Sequence, residues 1–301
     1  MGGIYALSAN QASQRVSVTG SVFADVSGGA IHIGSSGFPH WLIAPSPDTP
    51  PNDQDSQFHI ADNLMHNIPV EFHGAIAGVF AGYVSNSTIE HNTITNASYT
   101  GISVGWGWGA RSYSRGNIIQ RNRIDGVMFP VLKNRPGCLP PTYRKNGSAY
   151  PRKCLPLNNL ADGGHIYTQE IQQSTIFANY LSHDENRYGG IYHDGGGLWN
   201  DSHNVLNHNG HNWTVETYPG MGRHKVPAIF VHGARNTTID FLWYNDTDQP
   251  CCGGSAMACR RCDTTPGYYM GHAHNLTDIK NAPTWPPAAQ VIVDMAGRRE
   301  L

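Results

Sequence analysis

Apolar residues recur along this chain in short alternating clusters, and an asparagine recurs in step with them. The pattern apolar-x-x-Asn-x-apolar stands at IADNLM (Ile60, Asn63, Met65), IEHNTI (Ile89, Asn92, Ile94), IQRNRI (Ile119, Asn122, Ile124) and IFANYL (Ile176, Asn179, Leu181), with a degenerate copy, LNHNGH, at Leu206. Successive first positions lie 29, 30, 57 and 30 residues apart. The third gap therefore holds two turns of a repeat, or one turn with an insertion.

A second cluster accompanies the first: AIHIG (30–34), GVFAG (78–82), GISVG (101–105), HIYTQ (165–169), GIYHD (190–194) and AIFVH (228–232). It follows the first at an offset of 13 both from Val18 to Ile31 and from Ile89 to Ile102. Strand residues alternate faces, so Ile102 and Val104 point inward and Ser103 and Gly105 outward. Short strands at a period near 30, with an Asn at one corner, predict an all-β chain folded as a right-handed parallel β-helix, a solenoid with inserted loops. The Asn side chains then stack as a hydrogen-bonded ladder. A helical repeat is excluded because apolar residues five apart, flanking β-branched alternation, trace no helical face. The last stretch, 287–301, follows a proline and predicts a short C-terminal helix on or near the final coil.

The same alternation predicts two outward columns. One runs His32, Phe80, Ser103, Tyr167, Tyr192, Phe230; the other runs Gly34, Gly82, Gly105, Gln169, Asp194, His232. Aromatic, imidazole and carboxylate groups next to glycines describe a groove rather than a solubility surface, which would carry Lys and Glu. Asp194 is the leading acid, with Tyr192 two residues before it. Its partner is Asp162, in the turn before HIYTQ; Asp-Gly is also an ordinary turn former. Glu170, Asp184 and Glu185 are further acid candidates. Tyr167, Gln169, Tyr192 and His232 line the groove, and His165 is placed on the same face, where it would orient a carboxylate or meet a hydroxyl. His193 is expected to point inward. Trp106 and Trp108 alternate with glycines just past a strand, so at least one indole is expected near the groove to stack on a ligand.

Composition narrows the partners. The net charge is −2, charged residues make up 14%, and no basic run occurs, so neither nucleic acid nor an anionic membrane is an expected partner. The longest apolar stretch, AIAGVFAGYV, is too short to span a bilayer, and MGGIYALSAN lacks a signal peptide's regions. Eight Asn-x-Ser/Thr acceptors (Asn86, Asn96, Asn146, Asn200, Asn212, Asn236, Asn245, Asn275) and six cysteines favour a secreted, extracellular protein. Cys138 and Cys154 bracket a Pro-rich insertion within 130–160, and four cysteines crowd CCGGSAMACRRC in a segment, 246–286, read as an irregular Cys-rich loop. Disulfides within each group are the first reading. Zinc on Cys259 and Cys262 with Cys251 or Cys252 is the second, disfavoured by short spacing. With no HExxH pattern, neither a dedicated metal nor a cofactor is expected.

The motifs YTGISVGWGWG, DGGHIYTQ, GGIYHDGG and AAQVIVDMAG resemble the right-handed parallel β-helix proteins of glycoside hydrolase family 141, which include fucose-releasing and xylan-cleaving enzymes. The resemblance runs from GGAIHIG onward. It implies a β-helix glycosidase whose acidic pair falls on Asp162 and Asp194 here. It also implies that 1–301 is a single domain lacking N-terminal coils or an upstream domain. The chain departs from the family pattern after Asp194, with Gly-Gly-Gly in place of an acidic residue and Gly-Ser-Ser. The expected function is a glycoside hydrolase acting on a polysaccharide or glycan. The alternatives are a polysaccharide lyase, which would need Arg, Lys or calcium to neutralise a uronate, and a non-catalytic glycan-binding or structural β-helix.

Overall fold

A computed structural model describes residues 4–35, 45–70, 76–107, 111–127, 162–184, 189–207, 228–232, 236–245, 251–253, 270–279 and 284–299. The chain winds as β1 (Tyr5–Ala9), β2 (Ser17–Thr19), β3 (Val22–Ala24), β4 (Gly29–Ile33), β5 (His59–Ala61), β6 (Leu64–Ile68) and β7 (Val79–Ala81). It continues as β8 (Thr88–Glu90), β9 (Thr93–Ala97), β10 (Ile102–Val104), β11 (Ile118–Gln120), β12 (Arg123–Val127), β13 (Ile166–Phe177) and β14 (Tyr180–Asp184). The later coils are β15 (Ile191–Ser202), β16 (Val205–Asn207), β17 (Ile229–His232), β18 (Thr237–Asn245), β19 (Cys251–Gly253) and β20 (Met270–Asp278), followed by α1 (Pro287–Met295).

Every third strand pairs in parallel with its equivalent one coil on, which makes three ladders and hence a parallel β-helix. The first ladder is β1–β4–β7–β10–β13–β15–β17–β19. The second is β2–β5–β8–β11–β13–β15–β18–β20, and the third is β3–β6–β9–β12–β14–β16–β18. β13 and β15 each belong to two ladders because they bend round a corner without breaking. At that bend Gln169 pairs Asp194 and Ile171 pairs Gly197, so Glu170 alone opposes two glycines, a β-bulge. The segment expected to be irregular, 246–286, contributes β19 and β20.

The interior is filled by rows of apolar residues stacked in register from coil to coil. In the second ladder Val18, Ile60, Ile89, Ile119 and Ile176 are register partners in turn, all buried. The next member of that row is Asp201, and the one after it is Ile239. At the corner beyond, Asn63, Asn92, Asn122, Asn179 and Asn204 form the expected ladder, each Nδ2 donating to the next Oδ1 at 2.9–3.0 Å. Each Nδ2 also reaches a backbone carbonyl, Asn122 to Ile89 and Asn179 to Ile119 for instance. The ladder satisfies backbone and side chain together where the chain turns, as buried polar groups require. Its fifth rung is Asn204 rather than the asparagine of LNHNGH. Asp201 occupies the apolar first position of that copy and hides the motif.

α1 lays Ala289 and Ile292 on Ala178, Tyr180, Val205 and Trp243, on the outer face of the third ladder. The helix ends at Met295. The chain then runs back along the corner: Gly297 N–H donates to Arg121 O, Arg298 N–H to Thr93 Oγ1, and the Arg299 guanidinium grips Asp62. The insertion at 130–160 and cysteines Cys138, Cys154, Cys259 and Cys262 lie outside the described residues, as do the side chains of Cys251 and Cys252.

Candidate active site

Alternation in the first ladder puts two columns of side chains outside. His32, Phe80, Ser103, Tyr167, Tyr192 and Phe230 are register partners from rung to rung. Beside them Gln169, Asp194 and His232 are partners in turn. Tyr167, Tyr192 and Phe230 bury one another in a stack separate from the core, with ring centroids 5.0 and 5.1 Å apart.

That stack holds a carboxylate from both sides. Tyr167 Oη donates to Asp194 Oδ2 at 2.7 Å, and Gln169 Nε2 donates to Tyr167 Oη at 2.9 Å. On the next rung His232 Nδ1 meets Asp194 Oδ1 at 2.8 Å, while the Phe230 ring stacks on the imidazole at 6.0 Å and 11°. Asp194 thus accepts from one donor on each neighbouring coil. Its side chain is 8% exposed and that of His232 is 39% exposed, so the imidazole is the part of the pair that solvent reaches. The hydrogen bond to Asp194 raises the His232 pKa above 6.5 against the opposing effect of burial, and the charges of Asp194 and Asp162 add to the rise.

Asp162 is exposed and within electrostatic reach of His232. Both carboxylates also bear on Tyr99, whose hydroxyl is pushed up to about 12, chiefly by burial, with a Thr100 hydrogen bond opposing. The two acids picked from the sequence therefore share a neighbourhood around Tyr99 and His232. Tyr99 was passed over because it precedes its strand by three residues, although it opens the YTGISVG motif. Trp106 stands half-buried at the same surface, edge-on to Phe80 at 5.7 Å and 81°.

Two of the candidates from the sequence, His165 and Glu170, sit away from the groove. His165 is buried and turned inward: its Nε2–H donates across the interior to Ser182 O at 2.8 Å. It occupies the corner position held by Gly101 and Gly190 on the coils before and after, and a Cβ on Gly190 would come within 3.4 Å of the imidazole. Small neighbours above and below make the room. Glu170 is fully buried and backs away from the groove at the bulge, with φ +74. Burial drives its carboxyl up to about 8, opposed by Ser112, Ser114 and Gln172. A Cβ at Gly196 would lie 1.9 Å from the Glu170 carbonyl oxygen, so the glycines after Asp194 are demanded by this corner. Trp199 is buried against His193 at 5.7 Å.

His193 points inward as expected. With its proton on Nε2 it donates to Asp201 Oδ2 at 2.6 Å and accepts from Thr168 Oγ1 at 2.6 Å. Thr168, His193 and Asp201 are all buried, and the trio resembles a catalytic triad only in its residue types, since no substrate reaches it. Trp108 and Glu185 lie outside the described residues, as does the side chain of Asp184. Among the described residues no three His, Cys, Asp or Glu converge as metal ligands.

No protein-family model and no curated protein matches this sequence. Among solved structures, one described as a glycoside hydrolase superposes with a TM-score of 0.54 over 98% of this chain at 17% identity. The chain spans 36% of that protein's length. What the likeness carries is the fold: a parallel β-helix of the kind found in that glycoside hydrolase.

Proposed function

We propose that this chain is a glycan-active enzyme, a glycoside hydrolase of the fucosidase or xylanase kind, with Asp194 and Asp162 as its working carboxylates. The observation that carries the reading is the clamp on Asp194. A carboxylate that accepts from the Tyr167 hydroxyl and the His232 imidazole is fixed in direction, with each oxygen held by one of them. It serves as the base for water or as the nucleophile at the anomeric carbon. Asp162, exposed on the same side, delivers its proton to the departing glycosidic oxygen. In the direct displacement, water adds to the anomeric carbon, the bond to the leaving oxygen breaks, and the water's proton passes to Asp194. The glycoside hydrolase likeness supports this reading at the level of fold.

A lyase reaction would need a cation to neutralise a uronate, and the outward columns hold no Arg or Lys. The test is a screen against neutral and uronate-bearing polysaccharides that follows reducing ends and the ultraviolet absorbance of unsaturated products together. New reducing ends without absorbance support hydrolysis. Absorbance converts the reading to a lyase, and binding without product reduces it to a glycan-binding β-helix.

A further inference from the structure

The column that carries Asp194's clamp does not stop at the acid. Towards the N-terminal coils it continues through Phe80 and His32, with Tyr5 and Trp106 laid over it. Ring centroids are 5.2 Å apart for Tyr5 and His32, 5.2 Å for His32 and Phe80, 6.3 Å for Tyr5 and Phe80, and 5.7 Å for Phe80 and Trp106. Tyr5, His32 and Trp106 keep part of their surface in solvent over a buried Phe80, whereas all three rings beside Asp194 are buried. These four rings lie outside the core, which is filled from the opposite face of the same strands by Ile31, Val79 and Ile102.

Two further facts join this strip to the acids. Ser103 alone separates Phe80 from Tyr167 in the column. Tyr99, buried beneath the column, lies within electrostatic reach of Tyr5 at one end and of Asp162 and Asp194 at the other. Adjacent strands lie about 4.8 Å apart, so β10 is about 10 Å and β4 about 20 Å along the axis from Asp194's strand, a span of several sugar rings.

We propose that Tyr5, His32 and Trp106, with Phe80 as the buried floor between them, form a binding strip for a linear neutral oligosaccharide, which lies along the helix axis from Asp194 towards β1. Aromatic faces take the apolar faces of sugar rings. The strip has no Lys, Arg, Asp or Glu in its column, and burial holds the His32 imidazole below its usual range, so it is uncharged near neutrality and offers nothing to a uronate. The proposal deepens the glycan reading by fixing the direction and class of the substrate: a long neutral chain rather than a terminal sugar.

The test uses the full chain carrying Asp194→Asn, titrated by calorimetry with cello-, xylo- and manno-oligosaccharides as disaccharide and hexasaccharide. In one series the hexasaccharide binds roughly tenfold more tightly than the disaccharide, the worth of one aromatic stack. Trp106→Ala removes that advantage and leaves the disaccharide unchanged, Trp106→Phe restores most of it, and Tyr5→Ala gives an independent loss if Trp106→Ala does not fold. Equal binding of short and long chains, an equal loss on both in Trp106→Ala, or no binding in any series overturns the strip. Cleavage by the unsubstituted chain is read in parallel. Length-dependent binding without cleavage overturns the hydrolase reading and leaves the strip standing.

Discussion

The imidazole of His232 donates through Nδ1 to Asp194 Oδ1 across 2.8 Å, tying one coil of the β-helix to the next. The hydrogen bond favours the charged imidazole, so His232 holds its proton more tightly folded than unfolded. A group whose folded pKa is raised contributes stability that is complete below the unfolded value, here 6.5, and is lost as pH rises through the folded one. Melting temperature followed upward from pH 6 to 9 should therefore fall more steeply for the native chain than for His232→Gln. Parallel curves would mean that the pair does not form.

Glu170 titrates in the same sense for the opposite reason. Its carboxyl, normally near 4.5, is pushed to about 8 because it is buried at the bulge, close enough to Tyr83 and Tyr113 to raise their hydroxyls as well. The folded chain prefers it neutral, so its contribution is complete below about pH 4.5 and is lost as pH rises through about 8. Glu170→Gln should match the native chain near pH 5. At pH 10 it should be the more stable, by on the order of 4 kcal/mol. Urea denaturation at the two pH values measures this, and a variant no more stable at the higher pH contradicts it.

Thr168, His193 and Asp201 are polar replacements in rows that are otherwise apolar: Val104 and Val231 flank the first two, Ile176 and Ile239 flank Asp201. Removing one member leaves a buried partner unsatisfied. Asp201→Ile alone should cost about 3–5 kcal/mol. Thr168→Val, His193→Val and Asp201→Ile together should recover most of that, because the flanking coils already pack those residues. A triple variant as unstable as the single one would show that the network does more than fill the core.

Asn122 sits in the middle of the asparagine ladder, accepting from Asn92 and donating to Asn179 and to Ile89 O. Asn122→Ala strands buried groups on both sides and should destabilise by about 1–3 kcal/mol for each group left unsatisfied. Asn245→Ala, which removes a 3.4 Å hydrogen bond to Asn207, should cost far less in the same melts.

The columns were legible because side-chain direction in a strand depends only on counting by two. Tyr167, Tyr192, Phe230, Asp194 and His232 fell where alternation put them. It failed where the chain leaves the strand: His165 stands at the corner before Ile166, and Glu170 at a bulge with a left-handed backbone. The ladder's fifth rung was missed because Asp201, needed by His193, broke the apolar signature of Asn204. Packing across the interior couples residues that no local pattern relates. The strap formed by Gly297, Arg298 and Arg299 on the middle coils was invisible for the same reason.

The central claim is that Asp194, clamped by Tyr167 and His232, works on a glycosidic bond with Asp162. The most direct measurement is the rate of reducing-end release, on the best substrate from the screen, by the native chain, Asp194→Asn, Asp162→Asn and Tyr167→Phe, with unchanged circular dichroism required of each. The account predicts a loss of at least about a hundredfold for each Asp variant and a smaller, clear loss for Tyr167→Phe. Activity that survives Asp194→Asn in a folded chain contradicts it.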